Sequence, residues 1–155
     1  MSHSYIKVWI HIVFTTKNIQ PIIFSSFEEK LYSHIREHVE NDFQCPIIAI
    51  NGMTDHIHIL MRLTQHIAIK DILKNIKGES SHWINQQDFT RTKFAWQTGY
   101  GVFSVSESMV DAVKQYIQNQ KEHHRLKTFI EEYEEFMLQY NTETDESVSS
   151  ELKFK

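Results

Sequence analysis

Two segments of the chain place apolar side chains at every second position. The first covers residues 5–15 and the second covers residues 56–63. Because successive side chains of a β-strand point to opposite faces of the sheet, this period of two predicts two strands, each with one face suited to a core. The residues on the predicted core faces are Ile6, Val8, Ile10, Ile12 and Phe14, and Ile57, Ile59, Met61 and Leu63.

Apolar residues at helical spacing predict four helices. Ser25 or Ser26 is expected to cap the first, and Ser104 and Glu107 have the spacing of a capping box before the third. In chain order the helices cover residues 27–41, residues 67–86, a segment that follows Ser104 or Ser106 and runs to about Arg125, and residues 127–140.

The fourth predicted helix has an apolar side and an acidic side. The apolar side holds Phe129, Ile130, Tyr133, Phe136, Met137 and Tyr140, and the opposite side holds Glu131, Glu132, Glu134 and Glu135. We therefore expect this helix to pack through its aromatic residues and to turn its carboxylates away from the core.

Two further segments complete the predicted sheet. Residues 45–50 form a short apolar strand, which Asn51-Gly52 would connect to the second alternating strand by a tight turn. Residues 93–105 contain β-forming residues interrupted by Gly99 and Gly101. The order strand, helix, strand, strand, helix, strand, helix predicts an α+β, ferredoxin-like (split βαβ) antiparallel sheet, with the third helix near the face opposite the first two.

The chain shows no internal repeat and no linker, so we expect one domain over residues 1–140. Residues 141–155 are polar and acidic and are expected to form a flexible tail. The net charge of −4 is concentrated toward this end, because residues 131–155 hold eight acidic and two basic residues. The rest of the chain is mildly basic, which permits a nucleic-acid partner.

Composition excludes several classes of protein. Apolar residues make up 41% of the 155 residues, as in globular proteins, yet the chain lacks a membrane-spanning apolar run and a signal-peptide stretch. We therefore expect a cytoplasmic protein with no membrane partner. A single cysteine, Cys45, excludes an internal disulfide and is expected to be a buried small residue.

His56 and His58 share the mixed face of the second alternating strand, so their rings lie within reach of one metal ion. A half-buried strand with a wet face would show the same pattern. The predicted fold, however, brings the third helix to this face, with Tyr116 and Gln120 one turn apart on it. Two imidazole nitrogens and the Gln120 amide oxygen could hold a divalent ion beside the Tyr116 phenol.

A phenol so placed could attack the phosphorus of a phosphodiester, displace a 3′-hydroxyl and leave a 5′-phosphotyrosine. Its ordinary pKa of about 10 makes it a poor nucleophile at neutral pH, and a metal's positive charge would favour the phenolate. Because the bond energy is retained in the linkage, the 3′-hydroxyl of another strand could reverse the step and join new ends.

Other polar residues are candidates for supporting contacts. Asp55 and His11 could border the ligands, although His11 could equally be an ordinary polar residue of the wetter face. His124, in the pair with His123, could contact DNA or metal, or lie at a solvated helix end.

A basic stripe on the second helix could contact phosphates or simply be solvated. The residues of this candidate DNA-binding set are Lys70, Lys74, Lys77, Arg91 and Lys93. Trp96, Tyr100 and Phe103 could stack on bases, although core packing is the commoner role of such aromatics.

The segment Asp55-His56-Ile57-His58 resembles the HUH motif (histidine, bulky apolar residue, histidine). The segment from Tyr116 to Gln120, followed by Glu122-His123-His124, resembles the helix of single-tyrosine transposases of the insertion-sequence 200-like family. The resemblance runs from Trp9 to about Tyr140 and includes residues 51–55 and 94–97.

This resemblance implies a homodimeric transposase that cuts and rejoins single-stranded DNA at hairpin-marked element ends with Mg²⁺ or Mn²⁺. It implies Tyr116 as the nucleophile and His56, His58 and Gln120 as metal ligands. It also implies that the tyrosine helix of one subunit completes the histidines of the other.

Three other interpretations remain open. A non-catalytic, host-adopted module of the same fold would bind structured nucleic acid while Tyr116 merely packs. A nucleotide hydrolase of the histidine-triad type is weakened by Leu60, which stands where a third alternating histidine is needed. A structural metal site normally has four protein ligands, and the sequence offers three.

Overall fold

The computed structural model describes residues 3–64, 67–123 and 127–139. His124 and the acidic tail lie outside these ranges. The main elements, in chain order, are β1 (Val8–Thr15), α1 (Glu28–Phe43), β2 (Ile47–Gly52), β3 (His56–Leu63), α2 (Ile69–Gln86), β4 (Gly101–Val105), α3 (Val110–Gln118), α4 (Gln120–His123) and α5 (Phe129–Gln139). No helix within the described ranges has the length and apolar character needed to cross a membrane.

The four strands form one antiparallel sheet in the order β2-β3-β1-β4. The two alternating strands, β1 and β3, lie side by side at its centre, with Val13 opposite His58 and Thr15 opposite His56. The α+β prediction is confirmed. The strand order is consistent with the ferredoxin-like arrangement, in which each helix crosses between two strands that are separated by a third.

One face of the sheet carries the large core beneath α1 and α2. The apolar positions from Ile10 to Phe14 and from Ile57 to Leu63 belong to this core, as their period predicts, whereas Val8 is 44% exposed and Ile6 precedes β1. Leu31, Ile35 and Val39 of α1 meet them at intervals of four residues, which confirms the predicted packing side of this helix. Cys45 is 1% exposed and belongs to the same core, as expected.

The other face carries two smaller apolar clusters beneath α3 and α5. In the first cluster, Val113 and Ile117 of α3 pack on residues of β2, β3 and β4. In the second, Phe129 and Tyr133 of α5 pack on Val13 and on Phe103. The third predicted helix therefore does lie against the histidine face of the sheet.

Several predicted boundaries are wrong. Residues 5–7 precede β1, and β2 includes Asn51 and Gly52, so the chain turns at residues 53–55 instead. Of the residues 93–105, β4 contains only the last five.

The predicted serine caps are also wrong. The position before α1 is Phe27, which is 1% exposed and makes no side-chain cap hydrogen bond. Ser104 lies within β4, and Ser106 makes no side-chain cap hydrogen bond to the turn that follows it. A buried phenylalanine thus stands where a cap was predicted for α1, whereas the residues that precede α3 are exposed and include no capping serine.

The third predicted helix is broken at Asn119. α3 ends at Gln118, Asn119 takes a non-helical conformation (φ −95°, ψ 18°), and α4 begins at Gln120. The Asn51 amide donates to the Gln118 carbonyl at 3.1 Å, which gives this carbonyl a partner outside the helix. The break therefore occurs where the helix end contacts the end of β2.

Gly52 is required by the close approach of β2 to β3. A Cβ atom at this position would lie 2.1 Å from the His56 carbonyl oxygen and 2.8 Å from the Ile57 Cα atom. Both are backbone atoms of β3, so neither can move aside without distorting the strand that carries the histidines.

We expect Gly52→Ala to lower the free energy of unfolding by about 1–3 kcal/mol, because the methyl group overpacks against backbone. Gly78→Ala is the matched control, since nothing lies within 4 Å of a Cβ there and alanine favours the α2 helix by about 0.5–1 kcal/mol. Urea unfolding of both variants measures the difference. Equal stability of Gly52→Ala and the wild type would contradict the close approach.

Candidate active site

Strand β3 presents His56 and His58 to the face beneath α3 and α5. Both rings are buried, at 0% and 1% exposure. His56 Nδ1 lies 2.7 Å from Asp55 Oδ1, and the carboxylate accepts the hydrogen bond that this nitrogen donates. In the neutral ring the other nitrogen, Nε2, then carries a lone pair and points away from Asp55.

His11 is part of this buried cluster. It is 0% exposed, and its Nε2 lies 2.9 Å from His58 Nδ1. Burial, followed by the neighbouring His58, holds the pKa of His11 well below its ordinary value, although Glu132 acts in the opposite direction. The ring is therefore neutral at physiological pH. His11 lies beside His58, and its supporting role at the site stays a prediction.

Tyr116 and Gln120 reach the same cluster from α3 and α4. The Gln120 Oε1 atom lies 3.2 Å from His56 Nε2, and the Tyr116 and His58 ring centroids are 5.8 Å apart, with the rings edge to face. Gln120 is 0% exposed. The four residues predicted as nucleophile and ligands are thus brought together within one chain.

The sequence analysis missed Glu132, and its placement on the outward side of the last helix is wrong. This carboxylate is 4% exposed and points into the cluster, whereas Glu131, Glu134 and Glu135 are exposed as predicted. Glu132 follows Phe129 by three residues and precedes Tyr133 by one, so it lies on the packed side of α5. Its spacing from Phe129 and Tyr133 was the feature of the sequence that could have indicated its burial.

Glu132 contacts each of the four predicted site residues. Its Oε1 atom lies 2.8 Å from His58 Nε2 and accepts hydrogen bonds from the Tyr116 hydroxyl and from Gln120 Nε2, the latter at 3.1 Å. Its Oε2 atom lies 3.7 Å from His56 Nε2. A buried carboxylate needs such partners, because burial without them is costly.

Burial raises the pKa of Tyr116, and the negative charge of Glu132 and the hydrogen bond to it raise the pKa further. In this arrangement the phenol is protonated and donates its hydrogen to the carboxylate.

The cluster fits a divalent metal ion. Among the residues that the structure describes, His56, His58 and Glu132 form a group whose donor atoms all lie within 4.8 Å of one another. Gln120 Nε2 donates to Glu132, and Gln120 Oε1 lies 3.2 Å from His56 Nε2. An ion held by His56 Nε2 would therefore have the Gln120 amide oxygen within reach. Imidazole nitrogens and carboxylate or amide oxygens are common donors to such ions.

A family model described as "Transposase IS200 like" matches residues 4–120. This range covers most of the chain and includes the two histidines, Tyr116 and Gln120. The chain belongs to the IS200-like transposase family. The predicted family resemblance is confirmed. The matched range ends at Gln120, so α5 and its Glu132 lie beyond it.

Other comparisons agree with this assignment. The transposase is 23% identical over 116 residues to the ISDra2 transposase TnpA of Deinococcus radiodurans, an alignment that covers 71% of this chain and 81% of that protein. Among solved structures, it is similar to a putative transposase from Deinococcus radiodurans R1 (TM-score 0.61, 24% identity), with 77% of this chain and 96% of that chain covered.

It is also similar to a REP-associated tyrosine transposase bound to a REP hairpin (TM-score 0.61, 16% identity), with 80% of this chain and 73% of that chain covered. At these identities the two solved structures support the fold.

The predicted DNA-binding residues of the transposase lie away from the histidine cluster. Lys70 and Lys74 are exposed on α2, which covers the opposite face of the sheet, and Arg91 and Lys93 are exposed beyond the end of α2. Lys77 is half-buried and donates to the Gln97 and Gly99 carbonyls at 2.6 and 2.8 Å. Burial lowers the pKa of Lys77. The structure therefore does not bring the stripe and the site together.

The aromatic residues that could have stacked on bases are mainly packed inside the transposase. Trp96 and Phe103 are 8% and 9% exposed, and the Trp96 indole donates to Ser80 Oγ at 2.9 Å. Tyr100 is half-buried beside Lys77, whose ammonium lies over its ring.

Lys121, next to Gln120, fixes α4 to the rest of the transposase. Its ammonium donates to the Gly52 carbonyl, to Glu28 Oε1, and to Asn51 Oδ1 at 3.3 Å. These contacts join α4 to the end of β2 and to the first turn of α1, and they hold Gln120 beside His56.

We expect Lys121→Met to weaken the anchoring of α4 by about 1 kcal/mol or less, because the partly exposed ion pair is screened while the bond to the Gly52 carbonyl is lost. Amide hydrogen exchange in residues 120–123 should become faster, with little change in the global unfolding temperature. Lys121→Arg, which keeps the charge and the donors, should retain most of the protection. Unchanged exchange in Lys121→Met would show that α4 is held by other contacts.

Proposed function

We propose that this transposase cleaves and rejoins single-stranded DNA at hairpin-marked element ends through a covalent 5′-phosphotyrosine at Tyr116. The observation that carries the proposal is the convergence of the Tyr116 hydroxyl, the two histidine Nε2 atoms and the Gln120 amide on one buried carboxylate. The candidate nucleophile and the three candidate ligands thus surround the carboxylate oxygens of Glu132.

The chemistry follows from the phenol. Its oxygen gives up its proton and forms a bond to the phosphorus of a phosphodiester, the bond from phosphorus to the 3′-oxygen breaks, and the departing oxygen takes up a proton to become a 3′-hydroxyl. The downstream DNA segment stays on Tyr116 through its 5′-phosphate. The reverse reaction, with the 3′-hydroxyl of another strand, joins two DNA ends without a further energy source.

His56, His58 and Gln120 would hold Mg²⁺ or Mn²⁺, whose charge favours the phenolate and stabilises the charge that develops on phosphate oxygens. The chain's own residues orient these groups. Asp55 fixes the His56 ring, His11 contacts His58, and Lys121 anchors the helix that carries Gln120.

Hairpin DNA is the proposed substrate because the family acts in DNA transposition and one structural neighbour is bound to a REP hairpin. Lys70, Lys74, Arg91 and Lys93 are candidates to contact phosphates of the paired part of the hairpin. Since α2 lies across the sheet from the histidines, the hairpin and the cleaved strand would then be held on different faces of the protein.

We also propose that Tyr116 serves the histidines of its own chain. Only residues 106–109 join β4 to α3, and four residues span at most about 14 Å. Glu107 in this connection accepts hydrogen bonds from Lys7, at 2.8 Å, and from the Trp9 indole. The connection is short and tied to the start of β1, so it does not favour transfer of α3 to a partner. Dimerisation through another surface stays a prediction.

We expect labelled single-stranded DNA from the ends flanking the gene to form a covalent adduct with the purified protein in Mg²⁺ or Mn²⁺. Tyr116→Phe should abolish the adduct, which denaturing electrophoresis detects, while DNA binding changes less than about twofold. Tyr100→Phe is the control and should retain the adduct. Hairpin binding without any wild-type adduct in either metal would favour the non-catalytic module.

Mixing two inactive variants tests whether the site is completed within one chain. Tyr116→Phe and His56→Ala, refolded together in equal amounts, should form no adduct, because each active site lacks one of the two groups. If the tyrosine helix were exchanged between subunits, some sites in the mixture would contain both groups. Recovery of about a quarter or more of the wild-type adduct would contradict assembly in one chain.

A further inference from the structure

We propose that Glu132 is a protein ligand of the divalent metal and that its capture by the ion releases the Tyr116 hydroxyl. The inference rests on the proposed function, and it adds a ligand from outside the range that the family model matches. It also means that binding of the ion determines whether the Tyr116 hydroxyl is hydrogen-bonded to Glu132.

The separations between donor atoms support a shared ion. Ligands at right angles around an ion with bonds of about 2.1 Å lie about 3 Å apart. Two pairs are close to this value, since Glu132 Oε1 and His58 Nε2 are 2.8 Å apart and Gln120 Oε1 and His56 Nε2 are 3.2 Å apart. Glu132 Oε2 and His56 Nε2 are 3.7 Å apart, which is less than the separation of about 4.2 Å for ligands on opposite sides of the ion. All four side chains are almost fully buried.

Packing holds the Glu132 carboxylate in place. Phe129 lies one turn earlier on α5, with its ring centroid 4.7 Å from that of His56, and Tyr133 packs with it on the β1 and β4 strands. The carboxylate lies beside these two aromatic residues and is 4% exposed. A cation in the cluster would compensate its buried charge.

A carboxylate ligand also changes the charge of the donor set. Two imidazoles and an amide oxygen are neutral donors, whereas Glu132 adds a hard, negatively charged oxygen of the kind that Mg²⁺ and Mn²⁺ bind. Two histidines and one carboxylate also suit zinc and iron(II), so Glu132 strengthens the site for a divalent cation without selecting one metal.

The same oxygen serves the nucleophile and the metal. Glu132 Oε1 accepts hydrogen bonds from the Tyr116 hydroxyl and from Gln120, and it is also the oxygen nearest to His58 Nε2. A carboxylate oxygen offers about two lone-pair directions. An ion bound to Oε1 must displace one of the donors. Displacement of the Tyr116 hydroxyl keeps the Gln120 amide on Glu132, and with it the Gln120 oxygen 3.2 Å from His56 Nε2.

The test is a titration of the full chain with Mn²⁺ in the absence of DNA, followed by calorimetry or by the electron paramagnetic resonance of free Mn²⁺. Glu132→Gln should weaken Mn²⁺ binding by about 10- to 100-fold. Tyr116→Phe should strengthen it by about 2- to 10-fold, because the phenol no longer competes for the carboxylate. Glu131→Gln, an exposed neighbour on α5, is the matched control and should bind as the wild type does.

Circular dichroism establishes whether each variant is folded. If Glu132→Gln does not fold, Tyr116→Phe still tests the inference. Mn²⁺ binding unchanged in Glu132→Gln but lost in His56→Ala would overturn the role of Glu132 while leaving the proposed function intact. Weaker Mn²⁺ binding in Tyr116→Phe would overturn the competition. A wild type that forms the DNA adduct but binds no Mn²⁺ would overturn the inference and the metal requirement together.

Discussion

The register of β3 is the constraint on which the fold and the site both depend. Its odd-numbered residues from Ile57 to Leu63 complete the large core under α1 and α2, and His56 and His58 point to the other face. A slip of one residue would bury imidazoles in the apolar core and place isoleucines in the site. The free energy that stabilises the core thus also fixes the direction of the two histidines, and Gly52 allows the neighbouring strand to approach closely enough to maintain this register.

Features that depend on local periodicity could be predicted from the sequence. The alternation in β1 and β3 and the packed side of α1 follow from a period of two or of about four residues. The place of the tyrosine helix follows from the order of strands and helices along the chain. Helix ends were less predictable, because the serines near α1 and α3 make no cap hydrogen bond and a buried phenylalanine precedes α1. The break at Asn119 depends on Asn51, which is far away in sequence, and local spacing carries no information about such a contact.

The site was predictable where residue type and position agreed, and Glu132 was missed where they did not. Glutamate is rarely buried, so its charge suggested the solvent side of α5, although its spacing from Phe129 placed it on the packed side. What permits burial is a set of donors on α3, α4 and β3, which the fold assembles from three separate parts of the chain. Lys77 shows the converse error, because a residue that looks like part of a solvated stripe binds two backbone carbonyls instead.

The hydrogen bond between His11 and His58 has a consequence for where the protons lie. A single proton is shared between His11 Nε2 and His58 Nδ1, so the tautomers of the two rings are linked. If His58 presents the lone pair of Nε2 to an ion, its proton must lie on Nδ1, and His11 must then accept through Nε2 with its own proton on the opposite nitrogen. A charged His11 could not accept. Burial keeps His11 neutral, so His11 can accept the hydrogen bond from His58 Nδ1. The burial of His11 therefore sets the tautomer in which His58 can act as a ligand.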